Sequence, residues 1–211
     1  MARVFTDISI SLDGYVAGPS PSLEDPLGVG GMQVHEWMFR LTAWREAHGL
    51  EGGDVGPESE VIDRNRAATG AVVMGRRMFS GGDGPWADDP NANGWWGDEP
   101  PFHTPVFVVT HHPREPLELR GTTFAFVTDG VAAAIELARA AAGDRDVSVG
   151  GGASVVQQAL ALGLLDELQV HTAPVLLGSG TPLFDGAAPR RLEIVETVAS
   201  THATFVRYRV A

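Results

Sequence analysis

Cysteine and lysine are both absent from this chain of 211 residues. Without cysteine, a disulfide scaffold, a cysteine–zinc site and a thiol nucleophile are excluded. Without lysine, Schiff-base catalysis and the lysine of a phosphate-binding P-loop are excluded as well, and all 15 basic residues are arginine. Several classes of catalysis are thus ruled out before any pattern is considered.

Positive charge and long apolar runs are also scarce. The net charge of −12 argues against a surface that binds nucleic acid or an anionic membrane. No signal peptide is visible, and no apolar run approaches the length that spans a membrane. We therefore expect a cytoplasmic protein with neither nucleic acid nor membrane as a partner. The length and the hydrophobic fraction of 44% predict one globular domain over residues 1–211.

The most informative stretch runs from Asp146 to Leu160, DVSVGGGASVVQQAL. Alternating valines predict a strand, the glycines Gly150, Gly151 and Gly152 follow, and a helical pattern begins at Ala153. A glycine turn that leads into a helix can hold a phosphate, because backbone N–H groups and the positive end of the helix dipole face it. Only two of the three glycines of the usual dinucleotide fingerprint are present, so a turn that serves packing alone is the alternative.

Two further strand ends carry residues that suit a phosphate. Gly75-Arg76-Arg77 follows the apolar run 71–74, and two arginines can bind a phosphate bidentately. Thr110-His111-His112 follows the apolar run 106–109. The alternatives are solvated arginines and an exposed loop, and no carboxylate is spaced with the histidines as a metal ligand, so we predict no metal site. Because ligands bind outside the carboxyl ends of parallel strands, the three strand ends together favour a phosphate-bearing ligand.

The order of predicted elements indicates the fold class. Helices are predicted over 34–47, 58–69 and 131–142, the last with Asp129 as its cap. Further strands are predicted over 3–10, 122–127, 165–176 with one wetter face, and 191–199 paired with 203–210 as a hairpin. Strand–helix units followed by a β-rich end predict an α/β fold. Its mixed, mostly parallel central sheet is flanked by helices and has an antiparallel C-terminal edge.

Candidate substrate contacts lie outside these strand ends. Trp86, Trp95 and Trp96 fall in the irregular stretch 80–104 and suit stacking on a planar heterocycle. A self-packed loop or a dimer contact are the alternatives for these tryptophans. Asp13, in an Asp-Gly turn, is a candidate polar contact to a substrate, and hydrogen bonding to its own backbone is the alternative.

Several of these motifs resemble the dihydrofolate reductase-like superfamily. The resemblance is carried by the stretches VVMGRRMF at 72–79, VFVVT at 106–110 and VGGGA at 149–153. SLDGYVA at 11–17, LLDEL at 164–168 and APVLLG at 173–178 are similar to one branch of it. That branch contains the reductase domain of the bifunctional riboflavin-biosynthesis deaminase–reductase. The resemblance covers nearly the whole chain and is weakest over 80–104.

This resemblance implies a dihydrofolate reductase-like fold and an NADPH-dependent reductase that acts on a small heterocyclic substrate. It implies that the 2′-phosphate and pyrophosphate of NADPH contact Gly75, Arg76 and Arg77, and that the adenine side is lined by Thr110, His111 and His112. It implies that the pyrophosphate is held at the helix start by Gly150, Gly151, Gly152, Ala153, Ser154 and Val155. The nicotinamide would be bordered by Val16, Ala17 and Gly18. Relatives are often dimers, and the β-rich end leaves sheet edges to cover, so we expect a homodimer.

The chain departs from its relatives on the substrate side. The riboflavin enzyme usually has a glutamate just before its paired glycines, where this chain has Gly150. Dihydrofolate reductases place a carboxylate on the first helix, but Glu36 and Glu46 lie in no matching motif and are expected to be solvated charges. No catalytic residue is assigned. A nucleotide-binding protein of the same fold without turnover is therefore the alternative to a reductase.

Overall fold

The computed structural model describes residues 2–211 and is built on a nine-stranded sheet. The strands of the molecule are β1 (Val4–Ser11), β2 (Tyr15–Ala17), β3 (Thr69–Gly75), β4 (Val106–Val109), β5 (Leu117–Leu119), β6 (Thr122–Val127), β7 (Asp146–Gly151), β8 (Glu167–Ala173), β9 (Thr181–Pro182), β10 (Leu192–Ala199) and β11 (Thr204–Val210). The order across the large sheet is β10-β11-β8-β1-β7-β3-β4-β6-β5, and β2 pairs with β9 apart from it.

The pairing confirms the predicted mixed sheet. Neighbouring strands from β8 through β1, β7, β3 and β4 to β6 run parallel. β5 pairs antiparallel with β6, and the predicted C-terminal hairpin is formed by β10 and β11, which continues antiparallel onto β8. The central strands have continuous apolar runs because helices cover both of their faces.

Six α-helices surround the sheet in the described part of the chain. They are α1 (Glu36–Phe39), α2 (Thr42–Ala47), α3 (Pro57–Ala68), α4 (Arg76–Ser80), α5 (Gly130–Ala142) and α6 (Ala153–Ala161). Val131, Ala134, Ile135 and Ala138 recur at helical spacing on α5 and pack with α6 onto one face of β1, β3 and β7. Among residues 2–211, none of the helices combines the length and the apolar character that crossing a membrane requires.

The helix predicted over 34–47 is wrong in its extent, since two short helices replace it. The break falls at Leu41, whose backbone is extended with φ −79° and ψ 139°. The backbone of the following loop competes for the helical hydrogen bonds. Asp54 donates its N–H to the carbonyl of Arg40 and accepts the N–H of Thr42. Asp129 occupies the predicted N-cap position of α5, although its side chain makes no hydrogen bond to the helix.

The wetter face predicted for 165–176 is buried instead. Glu167, Gln169 and His171 on β8 are at most 9% exposed. Trp37 and the helix α3 cover this face of the sheet, and charged partners come from other elements. Arg3, for example, donates to Glu167 over 2.9 Å. The alternating polar residues of β8 therefore form buried hydrogen bonds and ion pairs within the protein instead of a solvated face.

Candidate functional site

The three predicted phosphate-binding strand ends lie side by side. They terminate β7, β3 and β4, which are consecutive parallel strands of the sheet. Met74 is in register with Gly151, and Gly75 is in register with Val109. Because parallel strands end at the same edge, the glycine turn, the arginine pair and the Thr110 junction form one continuous strip of the surface.

The glycine turn places open space at the start of α6. Gly151 has φ +124°, a backbone conformation that favours glycine, and its peptide bond to Gly152 is cis. Gly152 has φ −74° and occupies the N-cap position without a side-chain hydrogen bond to the helix. A Cβ atom added at Gly152 would meet no protein atom within 4 Å. The fold therefore leaves an unfilled space beside uncapped N–H groups, as a bound anion requires.

Gly75 brings the second strand end against the first. A Cβ atom at this position would lie 3.0 Å from Cγ2 of Val155 and 3.5 Å from the nitrogen of Gly152. A larger side chain would thus push β3 away from the start of α6. The absence of a side chain at Gly75 serves the close approach of the two junctions, since its φ of −82° is ordinary for any residue.

Arg76 is a buried cation with unused donors. Its side chain is 5% exposed, and Nη2 donates to Oδ2 of Asp89 over 2.5 Å. Its guanidinium carbon lies 3.6 Å from the centre of the Trp86 ring. Nε and Nη1 are also buried but have no hydrogen-bond partner among residues 2–211. Buried guanidinium donors are normally satisfied, so this residue fits an anionic ligand that completes the set.

Arg114 adds a third cation that the sequence analysis left without a role. Its guanidinium lies over the rings of Trp86 and Phe126, with centroid distances of 4.7 and 4.8 Å. Burial, and then the nearby charge of Arg76, lower the pKa of Arg114. The buried guanidinium of Arg76 and the half-buried guanidinium of Arg114 thus stand close enough to repel each other, in a chain with a net charge of −12. An anion between them would relieve that repulsion.

Arg77 differs from Arg76 in being exposed and fully paired. Its Nη2 and Nε donate to Oδ2 of Asp83 over 2.5 and 3.1 Å. The hydrogen bond from Arg77 and its charge lower the pKa of Asp83. Both arginines of the predicted junction are therefore in contact with carboxylates of the loop that follows α4.

The third junction is held by backbone contacts. Thr110 is buried, and its hydroxyl accepts the N–H of His112 over 3.1 Å. The carbonyl of His112 accepts the indole N–H of Trp86 over 2.8 Å. His111 is exposed to solvent at the same edge. Within the described chain no group of three or more histidine or carboxylate side chains is placed to hold a metal ion.

Trp86 and Trp96 are both held by contacts within the protein, and their stacking on a substrate stays a prediction. Trp96 donates to the carbonyl of Phe79 and packs edge-on against Phe102, with ring centres 4.9 Å apart. Trp86 carries the two guanidinium groups already described. Both rings pack the 80–104 loop onto β4 and β6 because this loop has few other apolar residues to anchor it. Trp95, 38% exposed, is the accessible ring of the three.

Val16, Ala17 and Gly18 lie where two loops meet the start of α6. β2 pairs with β9, and Gln157 on α6 donates to the carbonyl of Pro182 in β9 over 3.0 Å. A Cβ atom at Gly18 would lie 2.1 Å from the carbonyl oxygen of Val29. The backbones in this region thus touch directly, and they bring the predicted nicotinamide border beside the glycine-turn helix.

Asp13 binds backbone rather than facing an open space. Its Oδ1 accepts the N–H of Leu177 over 3.1 Å, and its Oδ2 accepts the N–H of Gly178 over 2.7 Å. Both carboxylate oxygens tie the turn after β1 to the loop after β8, and the contact of Asp13 with a substrate stays a prediction. Glu36 and Glu46 are exposed, as expected of solvated charges.

A buried acid–histidine pair escaped the sequence analysis. Oδ1 of Asp7 lies 2.5 Å from Nε2 of His171, and Oδ2 accepts the amide of Asn65 over 2.6 Å. Burial raises the pKa of the Asp7 carboxyl, but the charge and hydrogen bond of His171 and the Asn65 amide outweigh it, and the pKa is lowered overall. The only signal in the sequence was polar residues alternating in β1 and β8.

A neighbouring histidine, His35, is kept neutral mainly by its burial. Burial, and then the charge of His171, lower the pKa of His35 to about 4. The His35 imidazole is therefore uncharged at neutral pH and can accept a proton or a hydrogen bond, but it cannot serve as a charged acid there.

Solved structures share this architecture. A protein from Shewanella sp. PV-4 assigned to riboflavin biosynthesis is 20% identical, with 100% of this chain and 99% of the other covered and a TM-score of 0.63. The diaminohydroxyphosphoribosylaminopyrimidine deaminase/5-amino-6-(5-phosphoribosylamino)uracil reductase of Thermotoga maritima is 15% identical, with a TM-score of 0.56. The match covers 100% of this chain but only 57% of the length of the Thermotoga maritima protein. A pyrimidine reductase-like protein of Corynebacterium diphtheriae is 16% identical over 100% of this chain and 92% of its own, with a TM-score of 0.50.

The sequence itself identifies the family. No curated protein matches the chain. The model of the RibD C-terminal domain family, however, matches residues 2–206, nearly its full length. The resemblance drawn from the strand-end motifs is thus confirmed at the level of the family. The chain belongs to the RibD C-terminal domain family, within the dihydrofolate reductase-like superfamily.

Proposed function

We propose that this protein is an NADPH-dependent reductase of a small heterocyclic substrate. The observation that carries the proposal is the joining of two incomplete anion sites at one sheet edge. One is the open space and uncapped helix start at Gly152, and the other is the pair of unpartnered buried nitrogens on Arg76. A nucleotide with more than one phosphate group satisfies both at once.

The residue types at this sheet edge suit the chemical groups of NADPH. Arg76, Arg77 and Arg114 would face the 2′-phosphate, the turn from Gly150 to Val155 would hold the pyrophosphate, and the junction from Thr110 to His112 would lie on the adenine side. NADPH, when bound, supplies the hydride. Val16, Ala17 and Gly18 would border the nicotinamide, where their tight backbone packing fixes the wall of the site and excludes water.

The proposed substrate class follows from the family. The deaminase–reductase of Thermotoga maritima acts on 5-amino-6-(5-phosphoribosylamino)uracil by its name. We infer a related heterocycle for this chain, whose Gly150 replaces the glutamate usual in the riboflavin enzyme. A specific observation favours the alternative of nucleotide binding without turnover. The carboxylates of Asp7 and Asp13 are both engaged within the protein, so neither is free to serve as the proton donor of a reductase.

Turnover distinguishes the two functions. Purified protein is incubated with NADPH and a panel of pterins, pyrimidines, flavins and quinones, and the loss of absorbance of the reduced nicotinamide is followed. The reductase proposal expects sustained oxidation with at least one heterocycle. Nucleotide binding without oxidation of NADPH by any member of the panel would support the binding protein instead.

We also propose a homodimer formed through the β10 edge. β10 is the terminal strand of the sheet, and its Ile194 and Val195 are 64% and 37% exposed. An exposed edge with apolar side chains is a site of association that proteins usually cover. Light scattering after size-exclusion chromatography should give twice the mass of the chain, 22.3 kDa. A monomeric mass at micromolar concentration would contradict this proposal.

A further inference from the structure

Two of the arginines assigned to the cofactor phosphate, Arg76 and Arg77, are already matched by carboxylates from one short segment. This acidic segment, residues 81–89 with the sequence GGDGPWADD, follows α4 directly. Asp89 pairs with Arg76 and Asp83 pairs with Arg77, each with a closest distance of 2.5 Å. The third carboxylate of the segment, Asp88, makes no ion pair in the described part of the chain. The segment thus places one negative charge opposite each arginine.

The two ion pairs differ in how tightly they are held. The side chains of Arg76 and Asp89 are 5% and 4% exposed, and Asp89 also accepts hydrogen bonds from Ser80 and from the N–H of Asn91. This pair is part of the packed structure. The side chains of Arg77 and Asp83 are 65% and 66% exposed. Exposed pairs of this kind contribute only about 0–1 kcal/mol, so Asp83 can give way to another anion.

The exchangeable pair borders a cavity that opens to solvent. This cavity of about 320 Å³ lies between the loop 21–26 and the acidic segment, and Arg77 and Asp83 both line it. A phosphate entering from this side would reach Arg77 without disturbing the buried pair. Arg77 presents two donors, Nε and Nη2, to Asp83, and the same two donors suit a phosphate bidentately.

We propose that Asp83 competes with the 2′-phosphate of NADPH for Arg77 and thereby sets how strongly this protein prefers NADPH to NADH. The inference rests on the proposed function. NADH lacks the 2′-phosphate, so its binding does not require the displacement of Asp83. A carboxylate six residues from its partner has a high effective concentration, which lets a weak pair lower the affinity for a diffusing ligand measurably.

The test measures the dissociation constants of NADPH and NADH by nicotinamide fluorescence in the wild type and four variants. Asp83→Asn should lower the dissociation constant of NADPH by roughly two- to five-fold, the equivalent of an exposed ion pair, and leave that of NADH unchanged. Asp88→Asn is the matched control, since it removes the same charge from the same segment without freeing an arginine. In the background of Arg77→Gln, the effect of Asp83→Asn should disappear.

Two kinds of gain in affinity would overturn the inference while the proposed function stands. One is an equal gain in affinity for both nucleotides, and the other is the same gain from Asp88→Asn; either would show a general charge effect. An unchanged NADPH affinity in Asp83→Asn would also reject it. A wild-type protein that binds neither nucleotide is a different outcome, because it would reject the proposed function and this inference with it.

Discussion

Asp7→Ala is expected to lower the free energy of unfolding by about 3 kcal/mol, because it breaks a buried pair by removing one partner. His171, 4% exposed, would lose its carboxylate partner, and the Asn65 amide would lose its acceptor. Trp37 packs edge-on against the His171 ring, with ring centres 5.1 Å apart, and limits the access of water to the unpaired imidazole on that side. Denaturant unfolding of wild type and variant measures the difference directly.

The matched control is Asp63→Ala. Asp63 is also an aspartate, but it lies on the exposed side of α3, where its carboxylate is 3.7 Å from the guanidinium of Arg66. Its loss should cost less than about 1 kcal/mol. Equal effects of the two substitutions would show that the Asp7–His171 pair has no special weight in the fold.

The same pair predicts how stability depends on pH. The pKa of Asp7 is lower in the folded state than its ordinary value. A lowered folded-state pKa contributes stability that is present above the unfolded pKa of about 3.9 and is lost as the pH falls through the folded value. Asp7→Ala should therefore flatten the acid limb of the stability curve. Parallel curves for wild type and variant below about pH 4 would contradict this account.

Gly152→Val is expected to weaken NADPH binding by at least about tenfold while the chain still folds, since roughly 1.4 kcal/mol of lost contact suffices for a tenfold change. The added side chain would occupy the open space at the start of α6, where no protein atom lies within 4 Å of the new Cβ. The backbone φ of −74° does not demand glycine. The substitution thus fills the space reserved for the ligand rather than space already used by the protein.

Ala161→Val is the control for this substitution. It adds a β-branched residue to the exposed last turn of the same helix, far from the glycine turn. It should leave the NADPH dissociation constant unchanged. Melting temperatures of both variants separate a blocked site from a damaged fold. A Gly152→Val protein that melts like wild type and binds NADPH equally well would show that the turn serves packing alone.

The strand ends were predictable from sequence because they depend on local rules. Continuous apolar runs predicted β3 and β4, and the glycine, arginine and threonine that follow them marked where each strand stops. Which strands lie next to each other in the sheet could not be predicted from the residues of the individual strands. Their adjacency came from the general rule that parallel strands end at one edge, and the sheet order confirms it.

The errors arose where tertiary contacts override local patterns. The helix predicted over 34–47 breaks at Leu41 because the backbone of Asp54, fourteen residues away from Arg40, supplies competing hydrogen bonds. The polar positions of β8 looked solvated because their partners, Arg3 and Asp7, come from the far end of the chain. No sequence window contains both sides of such a pair.

Aromatic and acidic residues in the irregular loop were the hardest to assign. Trp86 looks like a stacking platform for a ligand in sequence, yet Arg76 and Arg114 already lie over its ring. Asp83 and Asp89 look like loop charges, yet each faces an arginine of the predicted phosphate site. Ligand binding at this site depends on which of these contacts the ligand replaces. The sequence could not show this, because the ion pairs become visible only in the three-dimensional structure.

Titration of the wild-type protein with NADPH, followed by nicotinamide fluorescence, tests most directly the claim that the three strand ends form one cofactor site. We expect saturable binding with one NADPH per chain, and an affinity that falls as salt rises because phosphate–arginine contacts are screened. Fluorescence that rises only in proportion to the added NADPH, with no saturation, would contradict the claim.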